Sequence, residues 1–137
     1  MSTGITVSDA VIAKFDAFKL KKVGDVKYIT MVINKTEVVL ESEYPKSMSM
    51  EDFMNTLENA PKFVLIDHEY KTNDGRDADK ICLVSWIPDT AKVKDKMVAS
   101  GTKEAVKSAL TGIAININAT DKSECSAEIL NAACTKI

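Results

Sequence analysis

The stretch Trp86-Ile87-Pro88-Asp89-Thr90-Ala91-Lys92-Val93-Lys94-Asp95-Lys96-Met97, continuing through Val98 to Leu110, decides how the chain is read. A strand ending at Trp86 meets Pro88, whose fixed φ and missing N–H suit the first turn of a helix. Asp89 sets a carboxylate at that helix's positive end. The helix is expected to run towards Ala99. Ser100-Gly101-Thr102 then interrupts the pattern, with Thr102 as the cap of a second helix and Glu104 in its first turn. The expectation is one long, kinked rod.

Lys92, Lys94, Lys96, Lys103 and Lys107 outnumber Asp89, Asp95 and Glu104, so the rod is basic on a chain of net charge −2. Solvated lysines are common on any helix and account for the charge by themselves. Met97 adds to this: a flexible thioether among exposed lysines suits an adaptable contact surface, although methionine at helical spacing is also a core residue.

Around the rod, 137 residues make one ordinary domain, spanning 1–137 and large enough to bury a core without staples. Glycine and proline are few, and no repeat or low-complexity run appears. The first residues lack a basic and apolar leader, and no apolar run is long enough to cross a bilayer. The chain is therefore expected to be a cytoplasmic monomer without a transmembrane segment, a cofactor, a metal or a nucleic-acid partner. Cys82, Cys125 and Cys134 form no Cys-x-x-Cys pair and leave an odd thiol, which argues against a disulfide framework or a zinc site and for small buried hydrophobes.

Ser8 caps a helix from Asp9 to about Lys19, with Val11, Ile12, Phe15 and Phe18 on one face. Residues 1–7 precede the cap and are expected to form a mobile tail. Val26 to Ile33 and Thr36 to Glu43, separated by Asn34-Lys35, read as a β-hairpin. Ser49 caps a short helix through Leu57, whose apolar face is Met50, Phe53, Met54 and Leu57. Phe63 to Tyr70 and Ile81 to Trp86 are central strands joined by a polar excursion from Lys71 to Lys80. The run Ile81-Cys82-Leu83-Val84 is apolar on both faces and needs cover on both sides. Ile113 to Ala119 alternates as a further strand, and a last helix opens at Asp121 or Ser123 and runs to about Cys134. The fold class is α/β (α+β): a central five- or six-stranded mixed sheet flanked by helices on both faces.

The ordered set Trp86-x-Pro-Asp-Thr-Ala-x-Val-Lys-x-Lys-Met, Lys103-Glu104-Ala105 and Gly112-Ile113 closely resembles the ADF/cofilin family of actin-binding proteins. The likeness extends to Ser2-Thr3-Gly4-Ile5, Phe15-x-x-Phe-Lys-Leu, Asp67-x-Glu69-Tyr70 and Ala119-Thr120-Asp121-x-x-Glu124. It implies the ADF-homology fold and a protein that binds actin monomers and filaments, prefers the ADP form and promotes filament depolymerisation, severing and turnover. By the same resemblance, Lys94, Lys96 and Met97 match the positions that dock on actin, with Met97 entering an apolar cleft. Lys103 and Glu104 match a Lys-Asp pair that helps bind monomer and filament.

At the amino terminus, Ser2, Thr3, Gly4 and Ile5 match a second contact segment. The family's phosphorylated serine precedes the glycine; here Thr3 holds that slot with Ser2 beside it, and both are candidate phosphoacceptors. The family's filament-side surface corresponds to Arg76, Lys80 and Lys136, but Ala78 stands at one basic position, and Ala132 and Ala133 replace a charged pair. Side-binding and severing are therefore expected to be weaker than is typical of the family. Lys94, Lys96, Lys103 and Lys107 overlap the family's phosphoinositide-binding region. The rival within the family is a monomer-sequestering or side-binding relative without disassembly activity. The rival outside it is an enzyme built on Asp67, His68 and Glu69, although on a strand His68 points away from both carboxylates.

Overall fold

The computed structural model describes residues 4–135. α1 (Asp9–Lys19) begins where the sequence places it, because the Ser8 hydroxyl accepts the Val11 N–H at 3.2 Å. α1 ends in a Schellman-type turn: Lys22 N–H reaches Ala17 O at 2.8 Å, and Lys21, not glycine, takes the left-handed conformation at φ 60°. β2 (Tyr28–Asn34) and β3 (Glu37–Tyr44) form the expected hairpin, whose turn also holds Lys35 at φ 59°. α2 (Met50–Met54) is capped by Ser49 and buries Met50, Phe53 and Met54, with Leu57 buried just beyond its end.

β4 (Lys62–Lys71) and β5 (Asp77–Trp86) pair antiparallel along their whole length, from Lys62↔Trp86 to Lys71↔Asp77. Half of the expected polar excursion, Lys71 and Asp77 to Lys80, is therefore ladder. The two strands continue outward as a protruding hairpin, closed by a turn in which Gly75, at φ 86°, donates to Thr72 O at 2.9 Å. Before the next helix, Pro88 starts only a turn, with Ala91 N–H on Pro88 O at 3.0 Å.

α3 (Val93–Ala109) is one uninterrupted helix, starting later than Pro88 suggested and without the expected break. The reason lies in Thr102. It is buried, and its hydroxyl donates back to Val98 O at 2.7 Å, so it continues the helix rather than capping a new one. β6 (Ile115–Ala119) follows parallel to β5. Asp121 caps only a short 3-10 turn, and α4 (Ala127–Thr135) starts after Ser126, whose hydroxyl accepts Ile129 N–H at 3.2 Å.

Thr6 and Val7 depart from the expected free tail: they form β1 (Thr6–Val7), parallel to β3, with Thr6 N–H on Thr36 O at 3.0 Å. The sheet is thus six-stranded and mixed, in the order β1-β3-β2-β4-β5-β6. α1 and α3 cover one face through Val11, Phe15, Phe18, Val106 and Leu110. α2 and α4 cover the other through Phe53, Met54, Leu130 and Cys134. Tyr28 and Phe53 stack at 4.2 Å, and the Tyr28 hydroxyl donates to Met48 O at 2.9 Å. Burial pushes that phenol up to about 12.

The two left-handed lysines differ in what holds them. Lys35 is exposed, whereas Lys21 reaches Asp67 Oδ2 at 2.6 Å and Asp79 Oδ2 at 3.0 Å. Burial pulls the Lys21 ammonium down, but its hydrogen bonds to the two carboxylates outweigh that and hold it above its ordinary 10.5. Lys35→Gly should raise unfolding stability by roughly 0.5–1 kcal/mol by removing left-handed strain. Lys21→Gly relieves the same strain yet should lower stability by about 2 kcal/mol, because it strips the buried Asp67 of its counter-charge. Urea unfolding of both variants checks the opposite signs.

Candidate functional site

The buried side of α3 is the spiral Ala99, Thr102, Val106 and Leu110, the last being the residue that closes the helix. At 3.6 residues per turn, Val93, Met97, Ser100 and Glu104 fall on the opposite side and line up along the helix. Val93 is 68% exposed and Met97 69%, the two most exposed large apolar side chains among the described residues. Two adjacent apolar side chains on the solvent side of a helix, rimmed by lysines, are unlike a core stripe and unlike a purely solvated face.

The lysines around this ridge are not equally free to move. Lys96 Nζ donates to Asp89 O at 3.1 Å, so the turn before α3 holds its stem against the helix start. Lys103 Nζ lies 3.3 Å from Asn118 Oδ1 on β6, and Lys107 pairs with Glu104 at 3.5 Å. Lys94 is exposed on the other flank of Met97. The sequence reading singled out Met97 but not Val93. The usable signal was there: Val93 precedes Met97 by one helical turn, on the side opposite the buried stripe.

β1 packs against α3 from the core side, next to Gly4 and Ile5 at the edge of the sheet. Gly4, at φ 75°, uses a conformation open to glycine, and Ile5 is half-buried against the α1/α3 core. Ser2 and Thr3 lie outside the described residues, as does Lys136.

On the far hairpin, Arg76 Nε meets Asp74 Oδ2 at 2.9 Å and Lys71 Nζ meets Asp77 Oδ1 at 2.5 Å. Lys80 Nζ donates to Cys134 O at 2.9 Å, capping the carboxyl end of α4, and Asn73 Nδ2 reaches Thr135 O at 3.4 Å. The hairpin and α4 are thereby tied together, and each hairpin cation is already engaged by a partner.

Asp67, His68 and Glu69 do not converge. Asp67 turns to Lys21 on one face, His68 is buried under α4 on the other, and Glu69 is exposed. His68 Nε2 sits 2.6 Å from Asn131 Oδ1, while its Nδ1 is buried without a partner. No group of three or more metal-ligating side chains occurs among the described residues. The thiols of Cys82, Cys125 and Cys134 are all free and buried. Burial pushes each thiol up, Cys125 to about 11, which keeps them protonated and inert at neutral pH. No described helix is long and apolar enough to cross a membrane.

A covered sheet presenting one exposed, sulfur-tipped basic helix defines a protein-docking domain. The comparisons say which kind. Residues 4–135 match the family model described as cofilin/tropomyosin-type actin-binding protein. A cofilin of Mycosarcoma maydis is 40% identical over 129 residues, covering 92% of this chain and 91% of the relative. Cofilin-1A of Dictyostelium discoideum is 36% identical over 139 aligned residues, covering all of both chains. The crystal structure of a Streptomyces griseoflavus cofilin superposes with a TM-score of 0.83 at 34% identity, covering 95% of this chain and 97% of that one. The chain belongs to the ADF/cofilin family of actin-binding proteins.

Burial pulls the His68 imidazole below its ordinary 6.5, and Lys27 pulls the same way, against the Asn131 hydrogen bond and the charges of Asp67 and Glu69. The unfolded chain therefore takes up the proton first as the pH falls below 6.5, and stability should drop on acidification until the folded-state value is passed. His68→Phe keeps an aromatic ring in the slot and should flatten that slope by up to about 1.4 kcal/mol per pH unit. Urea midpoints measured across the acid range in both proteins provide the comparison.

Proposed function

We propose that this chain binds actin monomers and filaments through the exposed ridge of α3 and promotes filament depolymerisation and turnover. The exposure of Met97 on a lysine-rimmed helix face carries the reading. Met97, with Val93 beside it, acts as the desolvated anchor that enters an apolar cleft, and Lys94, Lys96 and Lys103 form a rim facing an acidic partner. Glu104 sits on the same line as the anchor and, with Lys103, helps bind monomer and filament. The amino-terminal residues Ser2, Thr3, Gly4 and Ile5 form the second contact. A phosphate on Ser2 or Thr3 would add nearly two negative charges next to an acidic partner and weaken the complex. Preference for the ADP form and a cytoplasmic place on the actin cytoskeleton belong to the same reading, and family membership supports them.

Filament-side binding and severing are weaker than is typical of the family, while monomer binding is retained. The supporting observations are Ala78 at a basic position, Ala132 and Ala133 in place of a charged pair, and the engagement of Arg76 and Lys80 with partners inside the chain. Lys94, Lys96, Lys103 and Lys107 also suit a phosphoinositide surface, which would compete with actin for the same helix. Catalysis has no part in this reading, since Asp67, His68 and Glu69 point to separate environments.

Met97→Ala should weaken monomer binding by about 2 kcal/mol, roughly thirtyfold, and slow pyrene-filament disassembly in step. Val93→Ala should produce a smaller loss of the same kind. Unchanged binding by Met97→Ala would overturn the assignment of the anchor. Co-sedimentation at saturating protein should show incomplete, salt-sensitive pelleting with filaments; tight, salt-resistant pelleting would contradict the weak-side reading. Vesicles containing phosphoinositide should reduce actin binding at physiological salt, and failure to do so would remove the lipid from the proposal.

A further inference from the structure

The face of the sheet remote from α3 carries an open cleft of about 340 Å³ between α2 and the start of α4. Met50, Met54 and Cys125 make its apolar floor, Ala127 lies at its edge, and the carboxylates of Glu51 and Glu128 stand on the rim. The rim's cation, Lys122, is held by Asn55 Oδ1 at 3.2 Å. The volume is at the low end of the range for ligand pockets, about 300–1,000 Å³, which fits one or two apolar side chains better than a cofactor. Two flexible thioethers one helical turn apart give a floor that adapts to different apolar shapes. The rim selects by charge: two carboxylates stand against one ammonium that already has a partner.

We propose that this cleft is a second docking site, for a short peptide segment of another protein in which an apolar side chain is flanked by basic residues. The apolar side chain enters between Met54 and Ala127, and the flanking cations reach Glu51 and Glu128. α2 and α4 cover one sheet face and α3 the other, so the site leaves the α3 ridge uncovered. A peptide partner and actin can therefore occupy the molecule together. The site does not depend on the reading of α3, because peptide binding and its charge reversal are measured before any actin is added.

The probe is a short capped peptide with a central leucine flanked by lysines, titrated into the isotopically labelled full chain while its backbone amide NMR signals are followed. Signals of residues 50–55 and 125–128 should shift saturably, and those of α3 should stay in place. A control peptide with the leucine replaced by glycine, and another with the lysines replaced by glutamates, should each bind at least about tenfold more weakly. Glu51→Lys combined with Glu128→Lys should lose the lysine peptide and gain the glutamate one, a reversal that misfolding cannot produce. Ala127→Phe, at an exposed position, should fill the cleft and abolish binding with the rest of the spectrum unchanged. No saturable shift at millimolar peptide, equal binding of the glutamate peptide, or shifts centred on α3 would each overturn the proposal. A final arm adds monomeric actin to the peptide-saturated protein: peptide and actin bound together support two separate faces, and displacement of the peptide overturns that geometry.

Discussion

The pairing of β4 with β5 is the constraint from which the rest of this molecule follows. From Phe63 to Ile66 and from Cys82 to Trp86 the residues are buried whichever way they point, so neither face of the central ladder can be left to water. Each face must be roofed by helices, and each helix needs only a narrow apolar strip to do it. α3 spends Ala99, Thr102, Val106 and Leu110 on that duty. Its opposite side is then free of any structural demand, which is why an exposed methionine and valine can stand there without unsettling the core. Folding uses one side of the helix, and the proposed docking would use the other.

Polar contacts decide where the pieces sit on that covered sheet. Lys21 leaves α1 in a left-handed turn and lands between Asp67 and Asp79, fixing the carboxyl end of α1 to the central ladder. On the other face, His68 meets Asn131 while Lys80 and Asn73 hold the last turn of α4. These contacts tie α4 to the β4–β5 hairpin. They also engage the ammonium of Lys80 within the chain, so it serves local stability first.

Much of this was legible in the chain because local and global signals agree. α1 was bounded correctly because the Ser8 cap and the spacing of Val11, Phe15 and Phe18 point to the same residues. Both faces of the sheet were expected to be covered because Ile81 to Val84 has no polar side. The misreadings share a cause, since each turns on a contact distant in sequence or on a side chain with two local options. Thr102 can cap a helix or bond back into one, and burial chose the second. β1 pairs across the chain with β3, which no local pattern announces. The outer half of the β4–β5 hairpin is polar and looks like a loop until its ion pairs and ladder are seen. In the site, Met97 was read because it stands out among lysines; Val93 was passed over because a β-branched residue near a helix start attracts no notice until the buried stripe is known.

The parallel strand β1 has a practical consequence for anyone attaching a reporter to this protein. Its hydrogen bonds to β3 fix Ile5 and Val7 at the sheet edge against the α1/α3 core, so a fluorescent domain or affinity handle fused at the amino terminus would be tethered from that edge. The Lys35 turn lies beside the same strand, because Thr6 N–H bonds Thr36 O, so a label there would share that edge.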